Sequence, residues 1–223
     1  MLNIKSLREQ IYLYLKQEMQ NRRLIHGEFI DTKSISAELG ISKTPLRDAL
    51  IQLEVEGFVT IIPRRGILVN TVTLKDIRNI YQVIGALEHS AVLAGDGLFK
   101  SSCIKALERL NQQQKTAIKN REFRKYYQLN VEFHDMFLAM SDNEALKRII
   151  MPLKQRLYDF PLRNYMEEWE LQHLNEHQEF IDYLKDNDVK RAAEVMKDKH
   201  WSYEAHEKFF NHFYELNGEH LEE

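Results

Sequence analysis

The 223-residue sequence is poor in three residue types that commonly organise small folds: it has one cysteine, four prolines and eight glycines. A single thiol, Cys103, excludes an intrachain disulfide framework and any cysteine-rich metal module. So few Gly and Pro leave too little turn chemistry for a sandwich or barrel built from hairpins, and the chain is expected to be mainly α-helical. No apolar run approaches the roughly 18 residues of a membrane span. The opening MLNIKSLREQ carries charge within five residues, where a signal peptide needs an apolar core. A cytoplasmic protein with no membrane partner is the expectation.

The apolar content (43%) is that of a globular chain, and the length suits two compact domains. The net charge of −3 hides a division. Residues 1–72 hold ten Lys/Arg against eight Asp/Glu, whereas the remainder holds 21 against 26. A mildly basic head on an acidic body is compatible with binding a polyanion, although the imbalance is too small to decide it.

Leu7, Ile11, Leu15 and Met19 form one face of a first helix. A short second helix follows from Ser34 to Leu39, with Asp31 or Thr32 as its cap and Gly40 as its stop. Ser42 is placed to cap a third, which runs through Leu46, Leu50 and Leu53 to Gly57. Next comes the one clear β signal: Phe58–Ile62, a Pro63-Arg64-Arg65-Gly66 turn, and Ile67–Val69. This order is that of a winged helix-turn-helix over 1–72. Past a short linker, six helical stretches are expected at about 74–97, 102–119, 122–140, 143–166, 168–186 and 188–215, making an all-α bundle over 74–215. Ser101 is expected to cap the second of them and Asp186-Asn187-Asp188 to separate the last two.

The third helix opens Ser42-Lys43-Thr44-Pro45-Leu46-Arg47. Lys43 and Arg47, four apart, share a face, and Arg47 has the fork that reads guanine while Lys43 is a point charge. Ser42 and Thr44 offer hydroxyls to phosphate, and Pro45 sits in the first turn, where its missing N–H is harmless. Lys33, Arg64 and Arg65 complete a candidate surface for backbone and minor groove. Any one of these charges is ordinary for a solvated helix; the ordered set points to double-stranded DNA.

Ile41-Ser42-Lys43-Thr44-Pro45-Leu46-Arg47-Asp48-Ala49-Leu50, with Leu53-Glu54, Glu56-Gly57-Phe58-Val59 and Arg65-Gly66, resembles the winged-helix domain of the GntR family. Ile80-Tyr81, Leu87-Glu88, Phe133-His134, Ser141-Asp142-Asn143 and Glu176-His177 resemble the all-helical FadR-type C-terminal (FCD) effector domain. The resemblance implies a homodimeric transcriptional regulator, a repressor, that binds a pseudo-palindromic operator under control of a small carboxylate effector. It puts Lys33, Lys43, Thr44, Arg47 and Gly66 at DNA-contacting positions, with Lys43 where Arg is usual. It also implies a metal set of one carboxylate and three histidines. His134 and His177 match two of them, Asn130 stands in for the carboxylate, and the last histidine is expected at the position of Lys199. His200 comes one residue late, a rotation of about 100° on a helix. Ile84 replaces an arginine that commonly pairs with an effector carboxylate.

From the residues alone, Asn130 and His134 share a helix face and, with His177 and His200, can build a site inside a bundle. Set against the ligand positions the resemblance implies, a set without a carboxylate and with an ammonium at its last position favours a metal-free pocket of Asn130, His134, His177 and Lys199. Zinc, nickel or manganese on His134, His177, Asn130 and His200 is the other arrangement. His89, His173, His206, His212 and His220 read as surface or hydrogen-bonded side chains. A constitutive DNA-binding dimer without a sensor remains an alternative. The adjacent His134-Asp135 pair raises a metal-dependent hydrolase, but neighbours on a helix face different ways and no nucleophile elbow or phosphate loop accompanies them, so no catalytic residue is assigned.

Overall fold

The computed structural model describes residues 5–158 and 166–217. Helices α1 (Leu7–Gln20), α2 (Thr32–Glu38) and α3 (Lys43–Val55) precede an antiparallel hairpin, β1 (Val59–Ile62) and β2 (Gly66–Val69). Helices α4 (Leu74–Ala94), α5 (Ser101–Lys119), α6 (Phe123–Met140), α7 (Glu144–Tyr158), α8 (Glu167–Lys185) and α9 (Val189–Val195) follow. A π turn over Met196–His200 then leads to α10 (Tyr203–Asn217). The chain is thus mainly α, a winged helix-turn-helix followed by an all-helical bundle. It forms two compact units: described residues up to Val72 with 155–158, and the rest.

In the first unit the four-residue apolar step of α1 is buried through Ile11, Leu15 and Met19 against Leu46, Leu50 and Leu53 of α3. Asp31 is the α2 cap, accepting from the backbone N–H groups of Lys33 and Ser34 at 3.0 Å. Ser42 occupies the N-cap of α3 without a side-chain capping bond. The hairpin pairs Val59 with Val69 and Ile62 with Gly66. Its tip needs left-handed backbone, with Arg64 at φ 62° and Gly66 at φ 133°. A side chain at Gly66 would also come within 3.1 Å of the Phe29 ring.

The second unit is built on a core that includes Ile77, Ile84, Phe133, Phe137, Phe180 and Met196, each almost wholly buried. Helix α4 starts with a reciprocal Thr73–Asp76 capping box. Two expectations change here, at the start of α5 and after residue 188, and a third falls partly outside the described residues. Lys100, not Ser101, is the N-cap of α5, and it makes no capping bond. The expected fourth helix over 143–166 is helical from Glu144 to Tyr158, and 159–165 lie outside the described residues. The single helix expected over 188–215 is broken into α9, the π turn and α10. The break is a packing event. A Cβ on Gly85 of α4 would lie 3.0 Å from the Trp201 side chain and 3.4 Å from the Lys197 carbonyl, so α4 and the π turn approach at a distance only glycine allows.

Candidate functional sites

On the first unit, Lys33, Ser42, Lys43, Thr44, Arg47, Arg64, Arg65 and Gly66 are all exposed. Lys33 lies in the first turn of α2, the four from Ser42 to Arg47 at the start of α3, and the last three at the hairpin tip. Among the described residues, none of these five cations enters an ion pair within the protein. Their charge is therefore available to an external anion, which is the electrostatic condition for phosphate contact.

The second unit buries an unusual concentration of titratable groups. His134 of α6 and His177 of α8 are fully buried, and His200, the last residue of the π turn, is 3% exposed. Their ring centroids are 5.2 Å (His134–His177), 4.9 Å (His134–His200) and 4.7 Å (His177–His200) apart. One donor nitrogen from each lies within 4.8 Å of the other two. The π turn makes this possible: the Trp201 N–H reaches back five residues to the Met196 carbonyl at 3.0 Å. That wider turn holds one extra residue, so His200 takes the inward direction an unbroken helix would give Lys199. Lys199 does not reach the cluster. It stands on the surface with its side chain 53% exposed, and its Nζ donates to both Glu179 carboxylate oxygens, at 2.6 and 2.7 Å. The ammonium is therefore outside the cluster and the late histidine inside it, while the absence of a carboxylate from the inner set stands.

Two carboxylates orient the rings. His134 Nδ1 lies 3.0 Å from Glu88 Oε2, and His200 Nδ1 lies 3.0 Å from Glu176 Oε2. A ring that donates from Nδ1 to a carboxylate keeps its lone pair on Nε2, so both rings present Nε2 inward. His134 Nε2 has no hydrogen-bond partner among the described residues, and neither has either nitrogen of His177, whose ring stacks on Phe133 at 4.0 Å. Asn130 is buried on α6 one turn before His134. Burial keeps these rings neutral: it draws the His134 pKa down to about 3, and it lowers His177 and His200 as well.

Glu88 is the centre of a buried charge network. It also accepts from Trp201 Nε1 at 2.6 Å and forms an ion pair with Lys154 of α7, itself buried. Burial would raise its carboxyl pKa, but His134 and Lys154 outweigh that and hold it ionised, well below the usual carboxylate range. Glu176 behaves alike, with the His200 hydrogen bond overriding burial. Lys154, Trp201 and Glu176 took no part in the site read from sequence. Nothing in the local pattern of α7 marks Lys154 as buried, and Glu176 carried no role beyond its place beside His177. Asp135, which neighbours His134 in sequence, belongs to neither group of candidate ligands.

Orphaned, neutral imidazole nitrogens converging in a buried space are the donor set of a zinc-type divalent cation. The residues present fit such an ion.

The sequence profile of bacterial regulatory proteins of the gntR family matches residues 7–69, and that of the FCD domain matches 79–200. This chain is a GntR-family regulator with an FCD domain. Among its relatives are the HTH-type transcriptional repressor RspR of Escherichia coli K12, 26% identical over 67% of this chain, and the regulator YdhC of Bacillus subtilis, 25% identical over 83% of this chain and 84% of its own length. The match spans 66% of the length of RspR. In fold the chain is similar to E. coli McbR/YncC, with a TM-score of 0.72 at 19% identity over 96% of this chain and all of that one. A GntR regulator from Rhodococcus sp. RHA1 gives 0.68 at 15% identity over 97% and 100%. The family and these relatives are transcriptional regulators, not enzymes. Among the described residues no helix is long and apolar enough to cross a membrane.

Proposed function

We propose that this chain is a cytoplasmic, homodimeric repressor whose winged helix binds a pseudo-palindromic operator and whose FCD bundle holds a divalent metal on His134, His177 and His200. The observation that carries the metal reading is the convergence of three neutral, buried rings, two of which, His134 and His177, hold nitrogens with no hydrogen-bond partner among the described residues. Asn130 can add only a neutral amide oxygen, so three imidazoles do most of the holding and room remains for an exogenous ligand. When bound, a zinc-, nickel- or manganese-type ion supplies a Lewis-acidic point that a carboxylate effector can reach. The chain's own residues do the rest: Glu88 and Glu176 fix the tautomers, and Lys154 keeps Glu88 charged. The name of the RspR relative supports repression.

Arg47 and Lys43 are assigned to base edges, Ser42, Thr44 and Lys33 to phosphates, and Arg64, Arg65 and Gly66 to the minor groove. Two half-sites follow from the two-fold symmetry of a dimer. An effector regulates only if it binds one arrangement of the two heads better than the other. Arg47→Ala should weaken operator binding by about tenfold or more, the loss of one bidentate contact, with the melting temperature unchanged because Arg47 is exposed. Fluorescence anisotropy on the operator, beside a thermal melt, reads both. Wild-type affinity in Arg47→Ala would remove α3 from the interface.

A further inference from the structure

Beside the three buried rings stands a second set that the proposed function does not use. His173 and Glu176, three apart on one face of α8, and His200 each offer a donor atom within 4.8 Å of the others. Two histidines and a glutamate are a known zinc ligand set, and this one contains the anion that the inner set lacks. His173 Nδ1 faces Glu170 Oε2 at 3.5 Å, which turns Nε2 away from that carboxylate. His206, though close, is committed: its Nδ1 accepts from Trp169 Nε1 at 3.0 Å and its Nε2 donates to the Lys199 carbonyl at 3.2 Å. Solvent access differs between the two sets. The His173 side chain is 15% exposed, whereas His134 and His177 are closed off.

His200 belongs to both sets through opposite nitrogens. Its Nδ1 faces Glu176, which leaves Nε2 as the nitrogen to complete the inner trio. We infer that His173, Glu176 and His200 Nδ1 form a second, outer position for the same class of divalent cation, on the solvent side of the buried one, and that the two positions exclude each other. A cation on Nδ1 displaces the proton that Glu176 otherwise accepts. That proton moves to Nε2 of the same ring, so no proton is lost and His200 leaves the inner set. Moving the cation inward reverses the exchange. The outer trio is then the landing point through which the buried site is filled. The exclusion and this filling step rest on the proposed inner site; the outer trio stands on its own residues.

Cobalt(II) titration of the full-length protein, followed by its visible absorption, tests this with His177→Leu, His173→Gln and the double variant. His177→Leu removes an inner donor without breaking a hydrogen bond between described residues, so it should fold. Wild type should take up about one equivalent. His177→Leu should still bind about one, at least tenfold more weakly and with a changed spectrum, and the double variant should lose that binding. His173→Gln alone should keep the wild-type affinity but load more slowly. No binding to His177→Leu, equal binding by His177→Leu and the double variant, or two ions on one wild-type chain would each overturn the inference. If His177→Leu matched wild type while His173→Gln lost the ion, the outer position would stand and the inner one would fall.

Discussion

Lys154→Met should destabilise the helical unit by about 3–5 kcal/mol, the cost of leaving a buried charge without its partner. Lys154 and Glu88 are both almost fully excluded from solvent, and methionine fills nearly the volume of the lysine stem. The loss is therefore electrostatic rather than a cavity. Glu88 would keep donors from Trp201 and His134 but no cation, so it would either take up a proton or draw one onto His134. Adding Glu88→Gln should recover most of the loss, since a neutral amide needs no counter-charge. For a unit of this size the single variant should melt roughly 10 °C lower or more. A shift of only a degree or two would mean that the pair is hydrated and that Glu88 is not held charged by Lys154.

Acid should unfold the metal-free protein well above the range in which its carboxylates titrate. Burial holds His134 and His206 at about 3 in the folded state, against about 6.5 in an unfolded chain. Between those values the unfolded state binds protons that the folded state does not, so stability is complete above about pH 6.5 and falls as the pH drops toward 3. Each histidine contributes a slope of roughly 1.4 kcal/mol per pH unit. Glu88 and Glu176, held below their usual range, add their losses only at lower pH. Thermal melts of chelated protein should show a steep fall in melting temperature from about pH 6.5 to 4.5. A flat profile there would mean that these rings are protonated or hydrated in the fold.

The winged helix was legible because its signals are local. The four-residue step of α1, Asp31 ahead of α2, Ser42 at the start of α3 and the β-branched run before Pro63 each report on their own neighbourhood. The bundle helices were legible from periodicity to within a few residues, except where a tertiary contact decided. Whether His200 or Lys199 points inward depends on one extra residue in a turn. That residue is set by the close approach of Gly85 to Trp201 and Lys197, more than a hundred positions away in sequence. Lys154 is invisible for a similar reason. A lysine on an amphipathic helix reads as solvated unless a buried partner such as Glu88 is known. His173 looked like a surface residue because its significance lies in the ring of His200 beside it, at 4.9 Å.

The central claim, a divalent metal on His134, His177 and His200, is tested most directly by elemental analysis. The full-length protein would be loaded with zinc and passed through a desalting column into chelator-free buffer. About one zinc retained per chain, falling sharply in His134→Gln and His177→Leu, is the predicted result. A wild-type protein that emerges without zinc, or one whose zinc content ignores both substitutions, would contradict it.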